Sequence, residues 1–478
     1  MRLAINKIER ASRNDKKSVI SWFKPCQMKS KKGVTNQMGF LAPTLEEQLN
    51  PKQELYLLSQ AIQWAYFENE FEHYYSKEGR PAHSIRLMTS LLILKHLYGL
   101  SDEGLVEQQW EMNPYFQYFS GMKIVQWGQP CAASDLVHFR KRIGKEGVEK
   151  VLKHSVDLHG KDGQDKHTSI DTTVQEKNIT YPTDAKLHKR IIEKCVSILK
   201  KEKLPLRRSY SRTAKNLVRA TYNGGHPKRI KKATSARRKL KTIAGRLVRE
   251  LERNVKNSTY DETLAIFKAV LSQTKKSKNK VYSLHEPKVY CIAKGKAHKK
   301  YEYGCKASVV LTQNTGIIVG AMTFEENIYD GNTLEQVLEQ TKELTGQYPK
   351  TATVDRGYQG VKLVKETQII RPSKPLKRDN TYQRLKKRKH CRARAGIEPI
   401  IGHLKSDHLV ARNYLKGQLG DSINFILAAS SFNYKKLMKK LRAIALWVQF
   451  IIDIKLFIHE YCSLFRMPKL KPELKMTF

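Results

Sequence analysis

Acidic residues are scarce in this chain. Only 45 Asp and Glu stand against 89 Lys and Arg over 478 residues, a formal net charge of +44. A small domain needs a net charge of about 2–8 for solubility, so the excess points to a polyanionic partner, of which nucleic acid is the commonest. Paired cysteines are missing too. The seven cysteines, at 26, 131, 195, 291, 305, 391 and 462, form no CxxC and are odd in number. That excludes a zinc ribbon and a disulfide framework and fits a reducing compartment, the cytoplasm. No clean apolar run is present either. The most apolar stretch, Ala443 to Phe465, carries Asp453, Lys455, His459 and Glu460. It is too charged to span a bilayer, which excludes a membrane protein of that kind. It reads as one or two buried helices, the alternative being an amphipathic helix on a membrane surface. No signal peptide opens the chain.

At 55.3 kDa, with 40% hydrophobic residues, the chain is long enough for two to four domains with ample core. Residues 1–37 hold ten Lys and Arg against Glu9 and Asp15 and lack periodicity. They read either as a disordered basic arm or as an upstream extension with the functional start at Met38. The second is favoured, because ordered patterning begins abruptly there. Residues 38–160 read as an all-helical, DNA-binding domain. Ser84 to Tyr98 is an apolar helix ended by Gly99. Ser134-Asp135 caps a helix over Leu136 to Ile143 that bears Arg140 and Arg142. Short helices with short turns suit either a helix-turn-helix module or a plain bundle.

Residues 161–440 read as an α/β domain with a long insertion. His167 to Gln175 is rich in β-branched residues, yet Asp171 sits in its middle, which is costly unless it faces a polar site. Residues 185–280 then carry 29 Lys and Arg against 6 Asp and Glu, a net of +23, on recurrent helices. Like charges at helical spacing repel unless phosphates neutralise them. This insertion therefore reads as a DNA clamp, with Arg207, Arg208, Lys228, Arg229, Arg237 and Arg238 as contacts. From 281 to 324 the period falls to two, with strands at 289–292, 305–311 and 316–324 and a turn at Asn314-Thr-Gly316. A helix over Thr333 to Leu344 follows. The strand Thr351 to Val354 leads straight into Asp355-Arg-Gly-Tyr358, and Thr367 to Ile370 is one more strand. Residues 392–407 read as mostly helical and carry Glu398; 422–440 form another helix, and 441–478 a helical tail.

Carboxylates at strand ends sit where open α/β sheets gather their ligands. The element order, with Asp171 on one strand, Asp355 after another and Glu398 on a later helix, is that of a ribonuclease-H-like mixed sheet. Phosphodiester cleavage by two divalent ions needs such hard oxygen ligands. Asp330 reads better as a turn or cap. Asp407 follows Glu398 by nine residues, which rotates it to the opposite helix face. Arg394, Glu398, Gly402 and Lys405 share one face if the helix is continuous, which Pro399 puts in question.

These motifs resemble the DDE transposases of bacterial insertion sequences, in particular the insertion-sequence-five group. The resemblance covers about Met38 to Tyr434. It rests on Gly79-Arg-Pro81, Tyr98-Gly-Leu-Ser-Asp102, Asn113-Pro-Tyr115 to Phe119-Ser-Gly121, Asp171-Thr-Thr-Val174 with Tyr181-Pro-Thr-Asp184, Val354-Asp355-Arg-Gly-Tyr358 and Arg394-x3-Glu398-x6-Lys405. It implies that Asp171, Asp355 and Glu398 are the catalytic metal ligands for two Mg²⁺ ions, with Mn²⁺ as a substitute. It implies that Arg394, Lys405 and Arg356 contact DNA. It further implies cleavage at terminal inverted repeats, strand transfer into target DNA, a homodimer on paired ends, no membrane role and a place at the bacterial nucleoid. A Tyr that relatives carry three residues before the Arg is Cys391 here. The alternatives are a nuclease without strand transfer and a transposase-derived DNA-binding regulator.

Overall fold

The helix signals of the first half take effect where capping and burial agree. The computed structural model describes residues 27–28, 43–76, 78–255, 258–274, 276–293 and 300–464. Apart from 27–28, the extension expected over residues 1–37 lies outside the described residues, as does 465–478 of the tail. Helices α1 (Leu45–Gln48), α2 (Glu54–Ala61) and α3 (Trp64–Phe71) precede α4 (Ile85–Tyr98). Ser84 caps α4 by accepting from the Leu87 N–H, and Gly99 ends it at φ 66°, where a side chain would strain. Two short helices, α5 (Trp110–Met112) and α6 (Pro114–Phe119), lead to α7 (Ala133–Asp157). The start expected at Ser134-Asp135 moves back to Ala133, because Asp135 reaches from inside the first turn to the Ala132 N–H at 3.0 Å. Gly144, at φ 61° and ψ −158°, kinks α7 where the helix was expected to end.

One expected DNA contact is a core residue instead. Arg140 is 3% exposed and grips Asp102 with both Nη atoms, at 2.9 and 2.6 Å, while Lys95 reaches the same carboxylate at 2.9 Å. Its fork is committed inside the protein, so Arg140 has no face left for a phosphate. Arg142 lies half-buried with its guanidinium 4.7 Å from the Tyr75 ring centroid.

The sheet begins at β1 (His167–Glu176), and the insertion follows as α8 (Asp184–Lys201), α9 (Ser211–Ala220), α10 (Ile230–Asn254) and α11 (Asp261–Ser272). These four helices bury their own apolar cluster, including Ile191, Leu199, Leu247 and Phe267, apart from the main core. Their cations point outward. Arg207, Arg208, Lys228, Arg229, Arg237 and Arg238 are all exposed. Lys177 seals the root of the insertion: it is 3% exposed on its side chain, 2.9 Å from Asp421 and 3.7 Å from Glu286.

Strands β2 (Tyr290–Ala293), β3 (Tyr301–Thr312) and β4 (Ile318–Phe324), helix α12 (Leu334–Thr345), and strands β5 (Thr351–Thr353), β6 (Leu363–Val364) and β7 (Thr367–Ile370) complete the sheet. Its order is β2-β3-β1-β5-β7-β6, with β4 also on β3. The β3 pairings to β1, β2 and β4 are antiparallel, and β1-β5-β7 are parallel. This is a ribonuclease-H-like mixed sheet. Helices α13 (Thr381–Ala395), α14 (Ile397–Asp407) and α15 (Gly417–Leu464) close the described chain. The first part of α15 is the hub of the main core. Phe425, Ile426 and Leu427 are fully buried in one cluster with Leu91, Phe119 and Leu152 of the N-terminal helices and with Val309 of β3. The last part is not buried. Trp447, Phe450 and Phe457 are 65%, 61% and 68% exposed, which overturns the expectation of buried helices over 443–465.

Candidate active site

The register of β1 against β5 decides where the two aspartates sit. Ser169 pairs with Thr353 in parallel, an offset of 184, and the same offset joins Asp171 to Asp355 two residues further on. β5 ends at Thr353, so Asp355 lies two residues past its end, while Asp171 lies within the neighbouring β1, adjacent strands in a sheet being about 4.8 Å apart. Side chains two apart on a strand share a face. Ser169 donates through Oγ to the Ala393 carbonyl of α13 at 2.9 Å, so Asp171 faces the side that α13 covers. That same helix ends in Arg394. Its Nη1 lies 2.6 Å from Glu398 and its Nη2 3.5 Å from Asp355. A single guanidinium therefore ties the strand-end carboxylate to the helix carboxylate.

The helix is not continuous through this region. It divides at Gly396, and Pro399 falls in the first turn of α14, where a missing N–H leaves no bond unmade. The i,i+4 pair of Arg394 and Glu398 survives the division because Gly396 itself stays right-handed, at φ −63° and ψ −22°. A Cβ on Gly402 would meet nothing within 4 Å, so the face beyond Glu398 is open to a large ligand. Lys405 is half-buried on α14. Arg356 is exposed and donates through Nε to the Pro372 carbonyl at 3.4 Å. Cys391 is half-buried, with Sγ 3.6 Å from the Ser373 carbonyl.

The rival carboxylates are engaged elsewhere. Asp330 receives the Thr172 hydroxyl at 2.9 Å and the Lys306 ammonium at 2.8 Å. Thr172 alternates with Asp171, so Asp330 lies on the other sheet face. It is more than a turn residue: it tethers the edge of α12 to β1 directly behind Asp171. Tyr358, 1% exposed in the same layer, has its phenol pushed far up by burial and by the nearby charges of Asp171 and Asp330. Asp407 pairs with Lys435 at 3.2 Å and with His403 at 3.3 Å.

Among the described residues no three His, Cys, Asp or Glu side chains already form a metal cage. The donor set is nevertheless right in chemistry. Asp355 and Glu398 offer hard, accessible carboxylate oxygens, with side chains 45% and 55% exposed, and the cation between them is a flexible side chain.

Residues 43–142 match the family described as a transposase domain (DUF772), and residues 269–434 match the transposase DDE domain. The chain belongs to the DDE transposases. Such enzymes act on DNA with divalent metal ions. An uncharacterized protein, ORF8 in the nfe locus of Rhizobium meliloti, is 42% identical to this transposase over 176 residues, covering 36% of this chain and 84% of that protein. No solved structure matches it. Among its described residues, no helix is long and apolar enough to cross a membrane.

Sequence reasoning missed Ser169, which docks α13 on β1, and the buried roles of Asp102 and Lys177. A buried acid in a short loop leaves no periodic signature, so the motif Leu-Ser-Asp102 alone could not distinguish a cap from a core ion pair.

Proposed function

We propose that this transposase binds the terminal inverted repeats of its own element, cuts a strand at each end and joins the freed 3′-hydroxyl to target DNA. The reading keeps it in the insertion-sequence-five group, on the strength of its motif set. The observation that supports the chemistry is that Arg394 reaches both Glu398 and Asp355, while its helix α13 docks through Ala393 on Ser169 of β1, two residues from Asp171. These three carboxylates would hold two Mg²⁺ ions, which supply Lewis-acid charge and activate an oxygen nucleophile at neutral pH. Arg394 then turns its fork from the carboxylates to the phosphate, a planar bidentate match. Lys405, half-buried on α14, and the exposed Arg356 serve as further phosphate contacts, and the exposed cations of the insertion hold flanking DNA. A cytoplasmic, nucleoid-associated enzyme fits this charge.

End-containing DNA incubated with a target plasmid and Mg²⁺ tests the reading. Products covalently joined to the plasmid are expected. Cut ends alone would reduce the activity to that of a nuclease, and intact DNA would leave a DNA-binding regulator.

Arg394 gives a second test. Exposed ion pairs of this kind contribute about 0.2–1 kcal/mol each. Arg394→Ala is expected to tighten Mn²⁺ binding in the absence of DNA by about two- to fivefold in calorimetric titration, while DNA cleavage falls. Weaker Mn²⁺ binding would sink the idea that this cation competes with metal.

Two ends must be held, and we assign the dimer contact to the exposed part of α15. Ile444, Ile451 and Ile458 recur every seven residues, as do Trp447, Ile454 and Tyr461. Such a seam suits a coiled coil with β-branched residues at one core position. Gln449, Asp453 and Glu460 lie on the opposite side, and two of these three are acids, which an anionic lipid surface repels. Light scattering should report a dimer that becomes monomeric in Ile451→Lys/Ile458→Lys. A monomeric parent, or an unchanged variant, would remove this contact.

A further inference from the structure

A cleft of about 690 Å³ opens where the insertion meets the sheet domain. Helix α8 forms one wall. Lys186, Arg190 and Lys194 stand four residues apart along it, with Lys189 beside them, and Arg412, just ahead of α15, faces them from the other side. No Asp or Glu is among the described residues that line it. Lys186 donates to the Tyr181 carbonyl at 3.1 Å, Lys194 to the Leu284 carbonyl at 3.3 Å and Arg412 to the Ile179 carbonyl at 3.4 Å. These bonds aim the cations without neutralising them. Lys189 and Arg190 share one carboxylate, Glu193, at 3.2 and 3.1 Å, in pairs exposed enough for water to screen. Burial and the repulsion of Arg190 hold the Lys194 ammonium below its ordinary value. Tyr222 and Tyr282 add flat apolar surface.

The cleft also has a defined place relative to the carboxylates. Asn178 lies on its lining, seven residues beyond Asp171 and two past the end of β1 at Glu176, where the chain bends. At about 3.3 Å per residue that is about 23 Å. Stacked DNA rises about 3.4 Å per base pair on each strand, so the distance corresponds to about six to seven base pairs.

Resting on the DNA-cleaving reading above, we propose that this cleft seats the sugar–phosphate backbone of the bound DNA about six to seven base pairs from the phosphate cut at Asp171 and Asp355. The insertion thereby measures the DNA rather than merely attracting it, because the cleft is rigidly joined to β1 through the buried Lys177.

The test uses the full-length protein and a duplex carrying an end of its element. Ethylation interference on the wild type should show a patch of essential phosphates about six to seven base pairs from the cleaved bond. In Lys186→Gln/Arg190→Gln that patch should vanish while the phosphates at the cleavage point remain essential. The slope of log K against log salt should fall by about 2, since each contact contributes about 0.9. Lys186→Arg/Arg190→Lys, which keeps both charges, should keep the slope. A wild type with no essential phosphates at that distance overturns the proposal without recourse to any variant. So does an unchanged slope and pattern in the double Gln variant. A wild type that binds no end DNA at all overturns instead the DNA-cleaving reading on which the proposal rests.

Discussion

Asp355→Asn is expected to lower DNA cleavage by more than about a hundredfold while leaving the protein folded. Losing even an outer-shell partner of a metal ligand costs about 10–100-fold, and Asp355 is proposed as a direct ligand. A hundredfold corresponds to about 2.7 kcal/mol of lost transition-state stabilisation. The substitution keeps the shape and removes the charge. It disturbs the fold little, because the side chain is 45% exposed and its contact to Arg394 is 3.5 Å long. Asp171→Asn should be equally deep, although it sits within β1. Groups that act as a unit are not additive, so the Asp171→Asn/Asp355→Asn double variant should fall no further than either single one. Single-turnover cleavage of a labelled end decides the matter. Full cleavage by Asp355→Asn would remove the metal-ligand assignment, and a double variant that loses the product of the two single effects would mean that the carboxylates work separately.

The largest expected effect on stability lies elsewhere, at Asp102. Its carboxylate is held by Arg140 and Lys95, whose side chains are 4% and 7% exposed. Removing one partner of a buried pair costs about 3–5 kcal/mol, since a charge is left behind without compensation. Here two cations would be left, so Asp102→Ala should lie at the upper end of that range in urea or thermal unfolding. The same group makes the fold acid-sensitive. Burial pushes the Asp102 carboxyl up, but the Arg140 hydrogen bonds and the Lys95 charge outweigh it and bring it down to about 2, from 3.8. A depressed carboxylate contributes stability that is present above its unfolded value and lost as pH falls through its folded one. About 2 kcal/mol should therefore disappear between pH 4 and pH 2. Burial pulls the Lys95 ammonium below its ordinary value, against the opposing charge of Asp102. A variant that unfolds within about 1 kcal/mol of the parent would show that Asp102 is solvated instead.

Much of the fold was legible because its signals are local. Ser84 and Gly99 bracket α4 by their own side-chain and backbone chemistry. The β-branched runs become β1, β3, β4 and β7 with small shifts in their ends, because a period of two is visible within a single strand. The errors fall where a residue's partner is distant in sequence. Arg140 on an apparently solvent-facing basic run has its partner 38 residues earlier. The apolar stretch after residue 443 was expected to be buried, but burial depends on whether another element comes to cover it, and here Trp447, Phe450 and Phe457 are left exposed. Lys186, Arg190 and Lys194 are readable as a cationic helix face, yet nothing in their spacing tells that Arg412 closes the opposite wall.

The sequence by itself determined the charge, and with it the class of substrate; it also determined the three carboxylates and the order of elements that carries them. It could not place them relative to one another. The separation of 184 residues between Asp171 and Asp355 has meaning only once β1 and β5 pair with the same offset. The face of Asp171 has meaning only once Ser169 docks α13. Register and docking are settled by hydrogen bonds and burial between segments far apart in the chain, and such contacts exist only in the tertiary structure.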